Sequence, residues 1–428
     1  MGKYLKKFGN HTDYESFTQT GDFIKPNVSL CVQENEVHYN PWTWAEEYLT
    51  TVALEDGTIS FNIWKSMGTD MITSISYSTD DGETWTTTAN QNNKEEHLSI
   101  DVNVNEGDKV MWKGIATQMG YNDEDDYGDY VGSFFSSDCE FDAKGNVMSL
   151  LYGDDFKGET TLGEDGIFCW LFYDYDEEKT CSIINAKDLS LPATTLTEYC
   201  YGGMFADCTS LTTAPELPAT TLANSCYGSM FKDCTSLTTA PELPATTLAD
   251  YCYGDMFNYC TSLTSAPSIL PAATLASGCY SNMFQGCTGL TTAPELPATT
   301  LTQSCYCNMF ESCTNLTTAP ELPATTLTEY CYGRMFRDCT SLTTAPELPA
   351  TTLVKSCYRY MFYGCTNLNY IKAMFTTTPS GSSPNYYTQN WVDGVAASGT
   401  FVKNSAAQWN VTGVHGIPTG WTVQTASA

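Results

Sequence analysis

Apolar residues recur at a fixed period along the second half of this 428-residue chain. From Cys200 onward the motif Cys-Tyr-x-x-Met-Phe-x-x-Cys-Thr occurs seven times, in steps of 26 residues with a single step of 27. The first cysteines of the seven copies are Cys200, Cys226, Cys252, Cys279, Cys305, Cys331 and Cys357. A constant period of about 20–50 residues is typical of arrays in which each unit stacks on the next.

The pattern inside a unit excludes a long helix. Apolar residues fall at short, irregular intervals, and prolines such as Pro215 and Pro218 interrupt them. The Thr-rich stretches favour short strands joined by turns, with identical residues stacked in successive coils. We therefore predict a mostly β protein in which residues 197–375 form seven coils of a parallel β solenoid.

The first third of the chain has a different pattern. Residues 98–105 alternate strictly between apolar and polar side chains, which indicates a half-buried antiparallel strand. Similar strands are predicted around residues 59–63 and 72–78. Turns are predicted at Asp56-Gly57, Asp81-Gly82 and Gly107-Asp108. This arrangement predicts an immunoglobulin-like β-sandwich over residues 43–148, although the Cys…Trp…Cys core signature is absent.

Three further segments complete the predicted organisation. Residues 1–42 are too short to fold alone and are predicted to be a docking arm, with a capping box at Thr12–Glu15. Residues 149–196 are predicted to cap the N-terminal end of the solenoid and residues 376–428 its C-terminal end. A solenoid without caps would expose an open pairing edge.

The repeat units resemble the BspA-like leucine-rich repeats of bacterial surface proteins and of viruses that infect gut bacteria. The resemblance covers about residues 165–375, and this chain departs from the usual unit at Cys226-Tyr227 and its counterparts, where Ile and Gly are usual. The matching positions of one unit are Leu211, Ala214, Leu217-Pro218, Cys226, Met230-Phe231 and Cys234. The resemblance implies a leucine-rich-repeat-type solenoid and a non-enzymatic binding or adhesion protein.

The spacing of the 19 cysteines indicates packing instead of redox or metal chemistry. Fourteen of them lie in the repeat register, where stacked side chains would be parallel and too far apart at Cβ for a disulfide. We expect free thiols. A zinc site is disfavoured because the repeats contain no Cys-x-x-Cys pair and no histidine. No metal site and no cofactor is therefore predicted.

Positions that vary between repeats are the candidate binding residues. The pairs that follow each Cys-Tyr are polar and variable and include Arg334 and Arg359, so we predict a solvent-facing surface there. A row of tyrosines beside these pairs would suit sugar faces or flat peptide surfaces, or would form a self-stacking ladder, which the residues favour. The row consists of Tyr201, Tyr227, Tyr253, Tyr280, Tyr306, Tyr332 and Tyr358.

Two acidic features raise the question of Ca²⁺. The acidic run at residues 122–129 fails the EF-hand pattern, because Tyr127 and Phe134 stand where ligands are required. A row of glutamates would stack like charges at coil spacing, and solvent exposure relieves this more simply than a bridging cation. The row consists of Glu216, Glu242, Glu295, Glu321 and Glu347. Both features are therefore predicted to be solvated, with Ca²⁺ as the alternative.

Composition and charge narrow the function. A net charge of −31 disfavours nucleic acid as a partner, and no run of 18 apolar residues predicts a membrane span. The four histidines, His11, His38, His97 and His415, belong to no catalytic pattern, so no catalytic residues are predicted. No heptads specify an oligomer, so a homo-oligomer remains open.

The first residues lack the apolar run of about 7–15 residues that a secretion signal needs, so no signal peptide is expected. This favours, within the resemblance, a phage virion fibre or decoration protein that presents the solenoid to a host surface glycan or protein and contacts other virion proteins through the arm. A bacterial surface adhesin is the alternative, and the scaffold of a glycan-active enzyme is the third. The expected location is the virion or the extracellular surface.

Overall fold

A computed structural model describes residues 44–64, 67–91, 97–123, 129–173 and 181–426 of the chain. These residues are mostly β, with one short α-helix, α1 (Ser149–Tyr152), and 3-10 turns at Trp44–Glu46 and Gly153–Asp155. The strands are β1 (Leu49–Ala53), β2 (Gly57–Ile63), β3 (Ile72–Ser78), β4 (Thr86–Ala89), β5 (Leu98–Val104), β6 (Lys109–Ala116), β7 (Gly120–Asp123), β8 (Asp129–Gly132), β9 (Phe134–Ser137), β10 (Phe141–Asn146), β11 (Ile183–Asn185), β12 (Leu189–Ser190), β13 (Tyr370–Ala373), β14 (Thr400–Lys403) and β15 (Thr422–Thr425). The predicted docking arm, residues 1–42, lies outside the described residues.

The strands of the first third form two main sheets. One has the order β11-β10-β1-β6-β3-β4, and β12 also pairs with β10. The other has the order β5-β2-β9, and β7 pairs with β8 in a separate hairpin. The alternation predicted for residues 98–105 is confirmed, because Ile100, Val102 and Val104 of β5 are buried while Ser99 and Asp101 are exposed.

An aromatic cluster packs between these sheets. Phe61 of β2 lies 4.9 Å from Phe135 of β9, and Phe135 lies 5.3 Å from Trp112 of β6, measured between ring centroids. All three side chains are fully buried, so the apolar faces of the two sheets cover each other. The immunoglobulin-like label for residues 43–148 stays a prediction.

This core continues without a break into the solenoid. Strand β10 pairs in parallel with β11 and β12, which precede the first complete repeat. The ring of Phe172 stacks on Phe135 at 5.3 Å on one side and on Phe205, of the first repeat, at 5.0 Å on the other. The segment predicted as an N-terminal cap therefore shares its sheet with the first third and its aromatic stack with the repeats.

The Cys-Tyr-x-x-Met-Phe segment of each coil is a string of turns and contains no strand. Alternate backbone N–H groups donate to the next coil, as from Tyr201 to Cys226 at 3.0 Å, while the intervening ones close local turns, as from Gly202 to Tyr199 at 2.9 Å. In the seven complete coils, every fourth residue in and beside this segment has a left-handed φ, between 46° and 73°, as at Ser225 with 46°. This geometry turns both residues of each Cys-Tyr pair into the core, where both are buried.

The remainder of each coil contributes short parallel bridges at Thr-rich positions, such as Thr239 with Ser265 and Thr292 with Thr318. These bridges and the turn segments stack successive coils in register. The predicted parallel solenoid is thus present, with single bridges where strands were predicted between residues 197 and 369.

The ladder does not stop at the boundary predicted at residue 375. Tyr358 donates its backbone N–H to Tyr387, and Phe362 donates to Trp391 at 2.8 Å. Left-handed φ values recur at Tyr386 and Asn390, although the Cys-Tyr motif is absent there. Strands β13, β14 and β15 also pair in parallel. The repeat conformation extends into residues 385–394 because it depends on backbone geometry, and the role of residues 376–428 as a cap stays a prediction.

Candidate functional site

The tyrosine row lies inside the solenoid. Its seven side chains are 0–2% exposed, and neighbouring rings stack at 5.7–6.0 Å with interplanar angles of 4–10°. The interpretation of this row as a binding surface is wrong, because rings enclosed on both faces by their neighbours cannot contact a ligand. The tyrosines that are therefore not binding residues are Tyr201, Tyr227, Tyr253, Tyr280, Tyr306, Tyr332 and Tyr358.

The two arginines of the predicted site come together at a pocket. Arg334 and Arg359 occupy adjacent coils, and the backbone N–H of Arg334 donates to the carbonyl of Arg359 at 2.7 Å. Both side chains are partly exposed. They line a cavity of about 190 Å³ together with Cys307, Asn308, Tyr330 and Gly333. We call this cavity the arginine pocket.

Neither guanidinium of the arginine pocket has an acidic partner within 4.0 Å among the described residues. Instead both lie against one ring, that of Tyr360, with distances from the guanidinium carbon to the ring centroid of 5.5 Å for Arg334 and 5.3 Å for Arg359. The Nε of Arg359 is buried and donates to no acceptor among the described atoms. The pocket therefore holds two neighbouring cations that form no ion pair with a described carboxylate, although the charge of Glu311 acts on Arg334 from a longer distance.

A third arginine nearby, Arg337, forms ion pairs with carboxylates of the solenoid. Arg337 donates to Glu311 at 2.9 Å and lies 3.4 Å from Asp338. Burial raises the pKa of the Glu311 carboxyl, and the charges of Arg337 and then of Arg334 oppose that rise. Lys355 and Lys372 likewise have carboxylate partners, Glu329 and Glu347. The contrast distinguishes Arg334 and Arg359 from the structural ion pairs around them.

The pocket is built on strained backbone. Asn308, Tyr330 and Arg334 have φ values of 56°, 57° and 55°, a region that costs a residue with a side chain about 1–2 kcal/mol. At the position of Arg334, earlier coils carry residues that tolerate this region better, such as Gly203 and Asn282. Large side chains are thus placed here against the local backbone preference.

Cys307 is the one described cysteine that is not fully buried, and it lines the arginine pocket. Burial raises the pKa of its thiol to about 11, while the charges of Arg334 and Arg359 act to lower it. The thiol therefore remains protonated at neutral pH and is a poor nucleophile. All 18 described cysteines are unpaired, which confirms the expectation of free thiols, and Cys31 lies outside the described residues.

The acidic features form no metal centre in the described part of the chain. The five glutamates of the predicted row are exposed, as solvation requires. Within the described ranges no group of three or more His, Cys, Asp or Glu side chains could hold a metal ion. The acidic run at 122–129 is described only at its ends, because residues 124–128 lie outside the described ranges.

The sequence prediction named the two arginines as binding residues. Cys307, Asn308 and Gly333 belong to the variable pairs that it placed at the surface, but it did not name them as binding residues, and it did not single out Tyr330. The change in net charge along the chain indicates where the pocket lies. Residues 330–428 contain six Lys or Arg and three Asp or Glu and have a net charge of +3. Since the whole chain has a net charge of −31, residues 1–329 have a net charge of −34. The arginine pocket lies at the start of this basic segment.

Stacked parallel coils of 26 residues define this protein as a repeat solenoid. A family model for the BspA type leucine rich repeat region matches residues 179–293 and 257–390, with six copies. The chain therefore belongs to the BspA-type leucine-rich repeat family through its repeat region. No curated protein and no solved structure matches the chain.

Membership of this family supports a surface or adhesion-type repeat protein of a generally non-enzymatic family. The bacterial adhesin fits the family, whereas the virion form has no support from it. No helix of the described segments has the length and apolar character to cross a bilayer.

Proposed function

We propose that this chain is a non-enzymatic adhesion protein of a bacterial cell surface, and that its solenoid binds a glycan or a protein outside the cell. The observation that carries this proposal is the arginine pocket, a concave site with two cations that form no ion pair with a carboxylate of the described residues. In a molecule with a net charge of −31, unpaired cations gathered at one cavity indicate a place for a partner.

The remaining segments have supporting roles in this proposal. Residues 43–148 act as an immunoglobulin-like spacer, residues 149–196 and 376–428 act as caps, and residues 1–42 act as the attachment arm. The continuous stack from Phe135 through Phe172 to Phe205 supports a rigid spacer, since it leaves no gap between the sheets and the solenoid.

The chemistry of the thiols supports binding over catalysis. Burial raises the pKa of thiols such as Cys200 and Cys252 to about 12, which removes them as nucleophiles at neutral pH. A glycan-active enzyme would also need a pair of carboxyl groups facing a cleft. No carboxyl group of the described residues lines the arginine pocket.

Binding of the labelled full-length chain to bacterial cells tests the proposal. We expect saturable binding that unlabelled chain competes away, and no release of reducing sugar from the same surface polysaccharides. Immunogold labelling of the native source is expected to place the protein on the cell envelope. Recovery of the protein in purified phage particles, or turnover of a polysaccharide, would contradict the proposal in favour of the virion form or the enzyme.

A further inference from the structure

We propose that the arginine pocket binds one negatively charged sugar residue of a surface glycan, with Arg334 and Arg359 on its anionic group. This inference rests on the proposed function and names its ligand. Guanidinium groups bind carboxylates and sulfates through paired, charge-assisted hydrogen bonds. Two such groups from adjacent coils face the same cavity, and neither forms an ion pair within 4.0 Å with a carboxylate of the described residues.

The other lining groups suit a sugar ring. Tyr330 is partly exposed, Lys355 lies over its ring at 5.8 Å from the centroid, and the part of the ring that lines the cavity offers contact for the apolar side of a saccharide. The side-chain amide of Asn308 donates to Asn282 at 2.7 Å and accepts from the thiol of Cys307 at 3.6 Å, which leaves its second N–H and second oxygen lone pair for a sugar hydroxyl group. The volume of about 190 Å³ is smaller than the cavities of about 300–1,000 Å³ that hold drug-sized ligands, so it accommodates one ring-sized group.

The backbone argues against an extended acidic peptide. A peptide that adds to a repeat array as a strand needs free main-chain donors and acceptors. Around the pocket these groups are consumed by the next coil, since Asn308 donates to Gly333 at 2.9 Å and Arg334 donates to Arg359 at 2.7 Å. A long polyanion is also disfavoured, because the preceding coils, residues 197–329, contain 11 Asp or Glu and one Lys and would repel it beyond the pocket.

Gly333 keeps the cavity open. Its φ is not left-handed, and a Cβ placed there would meet its nearest neighbours, Tyr330 and Cys307, at 3.4 and 3.6 Å, which is ordinary contact. A Cβ at this position is therefore tolerated by the fold, and the longer side chain of leucine is expected to fill the space that the ligand requires. Gly333→Leu removes the volume of the site without changing its charge.

Calorimetry on the full-length chain tests the ligand class with two disaccharides that differ in one group. One ends in glucuronic acid and the other in glucose, so a carboxylate replaces a hydroxymethyl group. We expect the acidic probe to bind about tenfold or more tightly than the neutral one, and to weaken as salt is raised, because charge-assisted hydrogen bonds carry the difference. A probe ending in glucose 6-sulfate distinguishes sulfate from carboxylate as the anionic group.

Variants with matched controls locate the binding. Arg334→Gln and Arg359→Gln are each expected to weaken the acidic probe about tenfold or more, whereas Lys232→Gln makes the same charge change in a distant coil and leaves binding unchanged. Gly333→Leu is expected to abolish binding, whereas Gly254→Leu, at the same position of another repeat, leaves it intact. Melting temperatures confirm that each variant is folded.

Equal binding of the acidic and neutral probes, or full binding by both arginine variants, would overturn the ligand class. Arginine-dependent binding of a glutamate-rich peptide without binding of either charged sugar would overturn it in favour of a peptide partner. If the chain still adheres to cells in these cases, the proposed function stands and only its ligand was wrong. If the unmodified chain adheres to no bacterial surface, both the proposed function and the proposed ligand are wrong.

Discussion

At the scale of single residues, the second cysteine of each repeat has a role that a small apolar residue could not fill. The thiol of Cys234 donates to the carbonyl oxygen of Phe205 in the preceding coil at 3.0 Å. The same bond, at 3.0–3.2 Å, recurs at Cys208, Cys260, Cys287, Cys313, Cys339 and Cys365. Each thiol thus supplies a weak donor to a carbonyl in the apolar interior.

These buried thiols predict a loss of stability in alkaline solution. Burial raises the pKa of Cys252, Cys305 and Cys357 to about 12, against about 8.5 in an unfolded chain. Because the unfolded state releases these protons first, the stabilisation is complete below about pH 8.5 and declines as pH rises towards 12, by up to about 1.4 kcal/mol per thiol per pH unit.

We therefore expect a melting temperature that is constant from about pH 6 to 8 and falls steeply above about pH 9. The scans are run with a phosphine reductant, so that oxidation of the thiols does not contribute. A profile that stays flat to pH 11 would show that the thiols ionise as easily in the folded chain as in the unfolded one.

The tyrosine ladder gives a second prediction at this scale. The hydroxyl of Tyr227 is buried with no hydrogen-bond partner among the described atoms, and such a group costs about 1–3 kcal/mol. Tyr227→Phe keeps the stacked ring, so we expect unchanged stability or a gain of about 1 kcal/mol in urea unfolding. Tyr227→Ala, the control for the ring, is expected to lose about 3–5 kcal/mol. A loss above about 2 kcal/mol for the Phe variant would reveal a buried partner such as water.

At the scale of the coil, two tyrosines at left-handed positions, Tyr251 and Tyr259, are each paired with a glycine in the next coil. The ring of Tyr259 is 47% exposed and lies over Gly286, and that of Tyr251 is 52% exposed and lies over Gly278. A Cβ at Gly286 would stand 2.5 Å from the Tyr259 ring, and one at Gly278 would stand 2.4 Å from the Tyr251 ring. Each glycine is thus required twice, for its φ and for the ring above it.

A double-mutant cycle separates these two requirements. Gly286→Ala should lose about 1–2 kcal/mol from its φ of 73° and a further 1–3 kcal/mol from contact with Tyr259. Adding Tyr259→Asp, the residue found at the same position in Asp233 and Asp338, should restore only the contact part. The free energy of unfolding of all four proteins measures the coupling. Additive losses would mean that the ring moves away without cost.

The coil also shows how far sequence predicts this structure and why the rest is missed. The 26-residue period, the register in which the coils stack and the free thiols can all be predicted from the spacing of the repeated residues in the sequence. The burial of Tyr227 does not, since adjacent residues of a strand point to opposite faces, and here left-handed residues such as Ser225 turn Cys226 and Tyr227 to the same side. Likewise, Asp81-Gly82 does join a hairpin, β3 to β4, but Asp56-Gly57 and Gly107-Asp108 join strands of different sheets.

The arginine pocket was half predictable for a related reason. Arg334 and Arg359 stand out as variable residues, but their partners come from three coils, and only the 26-residue stacking brings Asn308, Arg334 and Arg359 together. The absence of a neutralising carboxylate depends on where side chains point. That property follows from the backbone and not from the composition of a repeat.

At the scale of the whole described unit, one column of phenylalanine rings joins the sheets to the solenoid. From Phe172 to Phe362 successive rings stack at 5.0–5.8 Å, and Phe172 extends the column to Phe135 between the sheets. Repeat arrays are stabilised by contacts between neighbours, so the strength of each interface decides whether the parts unfold together. Phe172 is the interface residue between the two kinds of fold.

Phe172→Ala is accordingly expected to uncouple the two parts. Removal of the ring leaves a cavity against Phe135 and Phe205 and should cost about 3–5 kcal/mol, whereas Phe172→Leu, which keeps most of the volume, should cost under about 1.5 kcal/mol. Hydrogen exchange read by mass spectrometry measures residues 49–146 and 200–365 separately. In the parent protein we expect both to lose protection together, and in the Ala variant the sheets should lose it first. Joint loss of protection in the Ala variant would mean that pairing of β10 with β11 and β12 holds the two parts together without the ring.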